Sequence, residues 1–320
     1  MISTWYSWPL ALGTLLLLMA GSLLVGVADF TWMAGSEHDQ QILFISRLPR
    51  TLALVLTGMS LAVAGLLMQM LVRNRFVDPG TTGTLESAML GLLLVALFAP
   101  GLSVFSKMLV AATFAMVGSF AFMGLLRTIP LRSPVMVPLV GIMFGGVIGS
   151  ITLFLAYRYN LMQTLSNWTN GDFSAVLRGR YELLWLGAGL TVLGYMAANR
   201  FTLLGMGRSQ AINLGLNYRA ILTLGLVIVS LMSAVTIVTA GVIPFLGLIV
   251  PNVVSMLLGD NLRRSLPWVA WLGATLVLAC DILGRLIRYP YEIPIGTVMG
   301  VLGSMLFIYL LLKRTQASHE

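Results

Sequence analysis

Residues 47–83 read RLPRTLALVLTGMSLAVAGLLMQMLVRNRFVDPGTTG. Arg47-Leu48-Pro49-Arg50 opens the stretch, and no further charge appears until Arg73. The apolar run over 51–71 predicts a helix about 30 Å long at 1.5 Å per residue, enough to cross the hydrocarbon of a bilayer. Gly58 and Gly65 lie seven positions apart on one face of that helix, where a neighbouring helix approaches closely. Asp78-Pro79 then ends a short loop and begins the next span, with proline in the first helical turn. These residues alone describe a tightly packed membrane helix and a tight loop.

The same pattern extends outward over the whole chain. Apolar runs bounded by charged, proline or glycine breaks give about ten spans, near 10–28, 51–71, 83–98, 104–126, 136–157, 183–199, 220–240, 243–258, 267–286 and 294–312. The eighth is short and interrupted by Pro244 and Pro251, which a membrane tolerates only where protein or a cavity satisfies the freed backbone groups. Only 9% of the 320 residues are charged and 58% are hydrophobic, whereas a soluble domain needs roughly 25% charged residues to wet its surface. The expectation is therefore one all-α integral membrane domain over 1–320. The run at Leu10–Ala28 is too long for a signal-peptide core and has no basic residue before it, so it reads as a mature helix.

The formal net charge of +8 sets orientation here and does not point to nucleic acid. With both termini cytoplasmic, inner loops collect Arg73, Arg75, Arg127, Arg132, Arg200, Arg208, Arg219, Arg263, Arg264, Lys313 and Arg314, against Asp78, Asp260 and Glu320. Outer loops hold Arg47, Arg50, Lys107, Arg158, Arg178, Arg180, Arg285 and Arg288, nearly cancelled by Asp29, Glu37, Asp39, Asp172, Glu182, Asp281 and Glu292. Trp168, in the outer segment 160–182, reads as an interfacial anchor. The longest inner connection, 201–219, is semi-polar and glycine-bearing and predicts two short helices rather than a span.

Catalytic patterns do not appear. There is no phosphate loop with a lysine, no Ser-His-Asp set and no zinc spacing; Cys280 is the only cysteine, and His38 and His319 are far apart. The chain reads as a transporter or channel component without cofactor of its own, so energy from ATP has to come from another polypeptide. An ion-coupled transporter is the alternative class, and it needs intramembrane carboxylates, for which only Glu86 and Asp281 are available.

Several blocks now acquire meaning together: Arg47-Leu48-Pro49-Arg50 through Gln69, Asn74 and Asp78-Pro79; Trp168-Thr169-Asn170-Gly171; Leu204-Gly205 through Leu214-Gly215; Gly241 through Pro251; and Glu292-Ile293-Pro294-Ile295-Gly296. Their order and spacing resemble the FecCD family of ABC importer permeases, over roughly residues 45–313. The family carries Arg-x-Pro-Arg and Asn-Pro-Leu-Ala-Asp-Pro; this chain has Arg75-Phe76-Val77 in place of Pro-Leu-Ala. Asn252 and Ser255 stand where the family commonly has histidine and arginine, and Glu86 where it has a small residue. Those departures resemble the subgroup serving catecholate-type siderophores.

The resemblance implies a BtuC-like permease of about ten transmembrane helices in a bacterial inner membrane. It implies a second permease subunit, two ATP-binding subunits that hold the ATP, and a periplasmic or lipoprotein substrate-binding protein. It also implies cargo of the iron(III)-siderophore class, with cobalamin or haem as alternatives. Arg47, Arg50, Arg285 and Arg288 would receive carboxylates of the binding protein, since a guanidinium fork grips a carboxylate at two points. Read from the residues alone, helix-end snorkelling is the competing explanation for Arg47 and Arg50, and an i, i+4 pair the one for Asp281 with Arg285. Leu204, Gly205, Gly207, Arg208, Ala211, Leu214 and Gly215 would form coupling helices seated on the ATPase. Glu86 has two readings, a carboxylate on the translocation path or one hydrated at the inner interface.

Overall fold

The computed structural model describes residues 4–26, 40–129 and 133–317. Asp29, Glu37, His38, Asp39, Arg132, His319 and Glu320 lie outside the described residues. All regular structure among the described residues is helical. The helices are α1 (Thr4–Leu24), α2 (Leu48–Val72), α3 (Thr84–Phe98), α4 (Val104–Thr128), α5 (Met136–Arg158), α6 (Met162–Thr169), α7 (Leu184–Met196), α8 (Ala198–Gly205), α9 (Arg208–Asn213), α10 (Tyr218–Thr239), α11 (Leu246–Leu258), α12 (Leu262–Ile287) and α13 (Ile295–Ala317). A π-helical turn, Ile42–Arg47, runs directly into α2.

Among the described residues, five helical stretches are long and apolar enough to cross a membrane: Ile42–Val72, Val104–Thr128, Met136–Arg158, Tyr218–Thr239 and Leu262–Ile287. Five shorter apolar helices accompany them, Trp8–Leu24, Thr84–Phe98, Leu184–Met196, Leu246–Leu258 and Ile295–Tyr309. Together they occupy the ten regions expected from the sequence, with altered ends. The sixth stops at Met196 before the turn into α8, and the eighth begins only at Leu246, because Phe245 adopts a left-handed conformation at φ 63°.

Helix α2 is the axis of the fold. It is almost wholly buried and touches α1, α7, α8, α10, α11 and α12. Small residues permit this crowding. A Cβ on Gly58 would stand 2.5 Å from the carbonyl oxygen of Gly273 in α12, and one on Gly65 would overlap the backbone of Gly247 in α11. Both contacts lie on the face that the seven-residue spacing marked out. Helices α4 and α5 form the periphery, α4 packing on α3 and α10 and α5 mainly on α3, and leave broad apolar faces outward at Val117, Phe120, Ile142, Met143, Val147 and Phe154. In a lipid environment those faces need no protein cover.

The loop after α2 is held by local polar chemistry. Arg73 closes the helix in a left-handed conformation at φ 55°. Asn74 accepts from the Phe76 amide at 2.9 Å and donates to the Pro134 carbonyl at 2.6 Å, tying the loop to the start of α5. Asp78 and Thr81 cap each other reciprocally at 2.8 Å, a capping box that launches the turn at Pro79. The Asn and Asp of the family-like motif are thus turn-forming residues.

Candidate functional site

At one end of the bundle four charged side chains form a knot. Arg50, in the first turn of α2, donates to both carboxylate oxygens of Glu292 at 3.1 and 2.8 Å and to Asp281 at 2.7 Å. The second oxygen of Asp281 pairs with Arg285, one turn further along α12. Arg285 also donates to the carbonyls of Ser22 and Val25, at 3.0 and 2.5 Å, and to the Ser22 hydroxyl at 2.8 Å. Arg47 donates to the Leu23 carbonyl at 2.6 Å. Two guanidinia therefore close the C-terminal end of α1, where the last carbonyls have no partner within the helix and the dipole is negative.

This geometry bears directly on the four expected docking residues. Arg47 and Arg285 are buried and Arg50 is 15% exposed, all engaged within the chain. Arg288 is the exposed one, with its guanidinium 5.8 Å from the centroid of the Tyr291 ring. The i, i+4 pairing of Asp281 with Arg285 is present.

Three of the sequence blocks meet beside this knot through their backbones. The Val242 amide donates to the Trp168 carbonyl at 2.9 Å, Asp172 to Ala240 at 2.9 Å, and Gly296 to Gly171 at 3.0 Å. A Cβ on Gly171 would stand 2.6 Å from the Val242 oxygen, so the close approach requires glycine. The non-helical segment 240–245 is thus tied to neighbouring protein through the Ala240 carbonyl and the Val242 amide, the kind of partner an interrupted helix needs in a bilayer. Trp168 is half-buried against the core.

At the opposite end, 201–219 does contain two short helices, the end of α8 and all of α9. Gly207, at φ 117°, makes the corner between them. Among the expected coupling residues, Leu204 and Ala211 are fully buried and anchor the pair, while Arg208, Leu214 and Gly215 face outward. Met206 and Ile212, about half exposed, present apolar surface beside them. Sequence reasoning passed over both; the available signal was an apolar residue in a polar loop that no span claims. A third feature at this end joins the loop after α2 to the α11–α12 turn. Arg75 pairs with Asp260, which accepts from Ser255 at 2.6 Å.

The chain as a whole matches the FecCD transport family over residues 9–313. It belongs to that family. It is 47% identical over 303 residues to the petrobactin import system permease YclN of Bacillus subtilis (strain 168), covering 94% of this chain and 96% of the relative. It is 39% identical over 303 residues to the ferric-anguibactin permease FatD of Vibrio anguillarum (strain ATCC 68554 / 775), with the same coverage. A solved inward-facing ABC transporter of the metal-chelate type superposes with a TM-score of 0.78 at 25% identity, over 95% of this chain and 99% of that one. This FecCD protein is a multi-pass membrane protein of the ABC importer permease type.

Glu86 of the FecCD chain lies in the first turn of α3, where an acidic side chain complements the helix dipole. It is tucked between two helices of the same chain: a Cβ on Gly145 of α5 would stand 3.2 Å from its carboxyl carbon, and one on Gly149 3.9 Å from its Cγ. One carboxylate oxygen is buried without a hydrogen-bond partner among the described residues.

Proposed function

We propose that this FecCD chain is the membrane-spanning permease subunit of an ABC importer for an iron(III)-siderophore of the catecholate type. The observation that carries the reading is 47% identity to a petrobactin permease along nearly the full length of both chains. The chain acts as one domain in the bacterial inner membrane, with the arginine-rich α8–α9 end in the cytoplasm. A second permease subunit completes the pathway. Two ATPase subunits, which hold and hydrolyse the ATP, seat against the surface made by Met206, Arg208, Ile212 and Leu214, all exposed at that end.

A periplasmic or lipoprotein binding protein docks at the opposite end. Arg288 meets it first. Arg50 joins when an incoming carboxylate replaces Glu292, whose side chain at 28% exposure is the most accessible member of the knot. Arg47 and Arg285 support that surface from beneath. Closure of the ATPase dimer then favours one of two arrangements of the helices, giving alternating access.

The test is uptake of radiolabelled ferric petrobactin into proteoliposomes holding the complete transporter, with binding protein supplied outside and ATP inside. Uptake requiring both ATP and this chain is expected, with vitamin B12 and haem not transported. Transport that persists without ATP and collapses with an ionophore would refute the reading in favour of ion coupling.

A further inference from the structure

A cavity of about 320 Å³ opens at the α8–α9 end between the ends of three membrane helices. Its lining carries four arginines: Arg73 at the end of α2, Arg127 at the end of α4, Arg208 opening α9 and Arg219 opening α10. None of the described lining residues is acidic. All four arginines are exposed, and no side-chain hydrogen bond or ion pair engages them among the described residues. The knot at the other end is the opposite case, since each of its guanidinia is answered by a carboxylate or a carbonyl. Four like charges around one cavity repel each other, and no carboxylate among the described lining residues offsets them.

The rest of the lining indicates what the anion is attached to. Leu71, Val72, Met123 and Leu126 give the cavity an apolar side, and half-buried Tyr218 stands with Arg219 at the first turn of α10. An apolar wall, a tyrosine at the helix end and a ring of guanidinia match the layers of a bilayer from acyl chain to headgroup. Arg73 is brought in by its left-handed turn, and its Nη1 lies where a Cβ on Gly207 would be 3.0 Å away. Glycine at 207 thus makes room for the guanidinium as well as forming the corner of the connection.

We infer that this cavity binds the phosphate of an anionic membrane lipid, held by Arg73, Arg127 and Arg219 with its glycerol and upper acyl carbons on Leu71, Val72, Met123 and Leu126, while Arg208 at its rim stays with the ATPase surface. An ATPase carboxylate would answer Arg208 but has no use for the apolar side. Lipid occupancy would brace the α8–α9 connection against α2, α4 and α10. The inference does not depend on which substrate is imported.

The test uses the purified full-length transporter, stripped of lipid in a neutral detergent and titrated with dioleoylphosphatidylglycerol or dioleoylphosphatidylcholine, bound lipid being counted by native mass spectrometry. Preferential retention of phosphatidylglycerol is expected. Each arginine removed weakens it by about five-fold, so the triple variant Arg73→Gln, Arg127→Gln, Arg219→Gln loses on the order of a hundred-fold, with most of it recovered by lysine at the same positions. Should the triple variant fail to assemble, Arg127→Gln alone, at an exposed helix end, still carries the five-fold expectation. Equal retention of phosphatidylcholine, or unchanged phosphatidylglycerol affinity in Arg127→Gln, overturns the inference. Displacement by inorganic phosphate at equal concentration assigns the cavity to a free anion and overturns the lipid source. Loss of ATPase subunits from the triple variant with lipid retention intact makes the cavity an ATPase contact and also overturns it. Uptake assays do not enter these outcomes, so failure of the import reading stays distinguishable.

Discussion

Neutralising Asp281 is the most informative single perturbation of this protein. Its side chain is 1% exposed and lies between Arg50, at 2.7 Å, and Arg285. The knot is balanced, with two guanidinia against two carboxylates, and Glu292 alone cannot answer both arginines after Asp281→Asn. Removing one partner of a buried pair leaves an uncompensated charge away from water, at a cost of about 3–5 kcal/mol. Arg285→Gln leaves the opposite imbalance and has a similar cost. The double variant restores neutrality, so its loss should fall short of the sum of the single losses by about 1–3 kcal/mol. Glu292→Gln is the internal control: at 28% side-chain exposure water screens it, and the expected loss is about 1 kcal/mol or less. Thermal unfolding of the purified transporter in detergent reads all four variants. Additive losses in the double variant, or Glu292→Gln as the most damaging change, would refute the balanced-knot account. Reversing Arg47, Arg50 and Arg285 to Glu would break this knot and the end of α1 together, so lost uptake there would not report on docking alone.

Gly65→Ala places a methyl group into the Gly247 backbone and should cost about 1–3 kcal/mol through parting of α2 and α11; Gly13→Ala, with nothing within 4 Å, should unfold at the wild-type temperature. A cysteine at Ile212 should label from the cytoplasm and crosslink to the ATPase with a nucleotide-dependent yield, whereas one at fully buried Ala211 should do neither; labelling of Ile212 from outside would invert the topology. Glu86→Gln should transport normally because the carboxyl group packs against Gly145 of α5, while Gly145→Leu should impair assembly by forcing that contact apart. Reduced uptake by a fully assembled Glu86→Gln transporter would place Glu86 on the pathway.

The sequence was a good guide wherever the signal is local. Apolar runs of span length, the seven-residue spacing of Gly58 and Gly65, and the short helices of 201–219 all follow from periodicity and composition. Each depends on neighbours within a few turns of the same helix. The five blocks were recognisable in order, although their reason lay elsewhere: three of them touch, through Trp168 with Val242 and Gly171 with Gly296. Asn74 and Asp78, conspicuous as motif residues, hold their own loop.

What only the tertiary structure decided is which charges meet. Arg50 is 242 positions from Glu292 and 231 from Asp281, and Arg75 is 185 from Asp260; no periodicity reaches across such separations. From the sequence, Arg47 and Arg50 are cations at a helix end that suit docking or snorkelling, and Arg285 suits docking or an i, i+4 pair with Asp281. Folding brings Asp281, Glu292 and the open carbonyls of α1 to them, while Arg73, Arg127, Arg208 and Arg219 converge on a cavity with no acid among its described lining residues. A helix declares its membrane character along its own length. The partner of a charge is set by which helices pack side by side, and that is a property of the whole bundle.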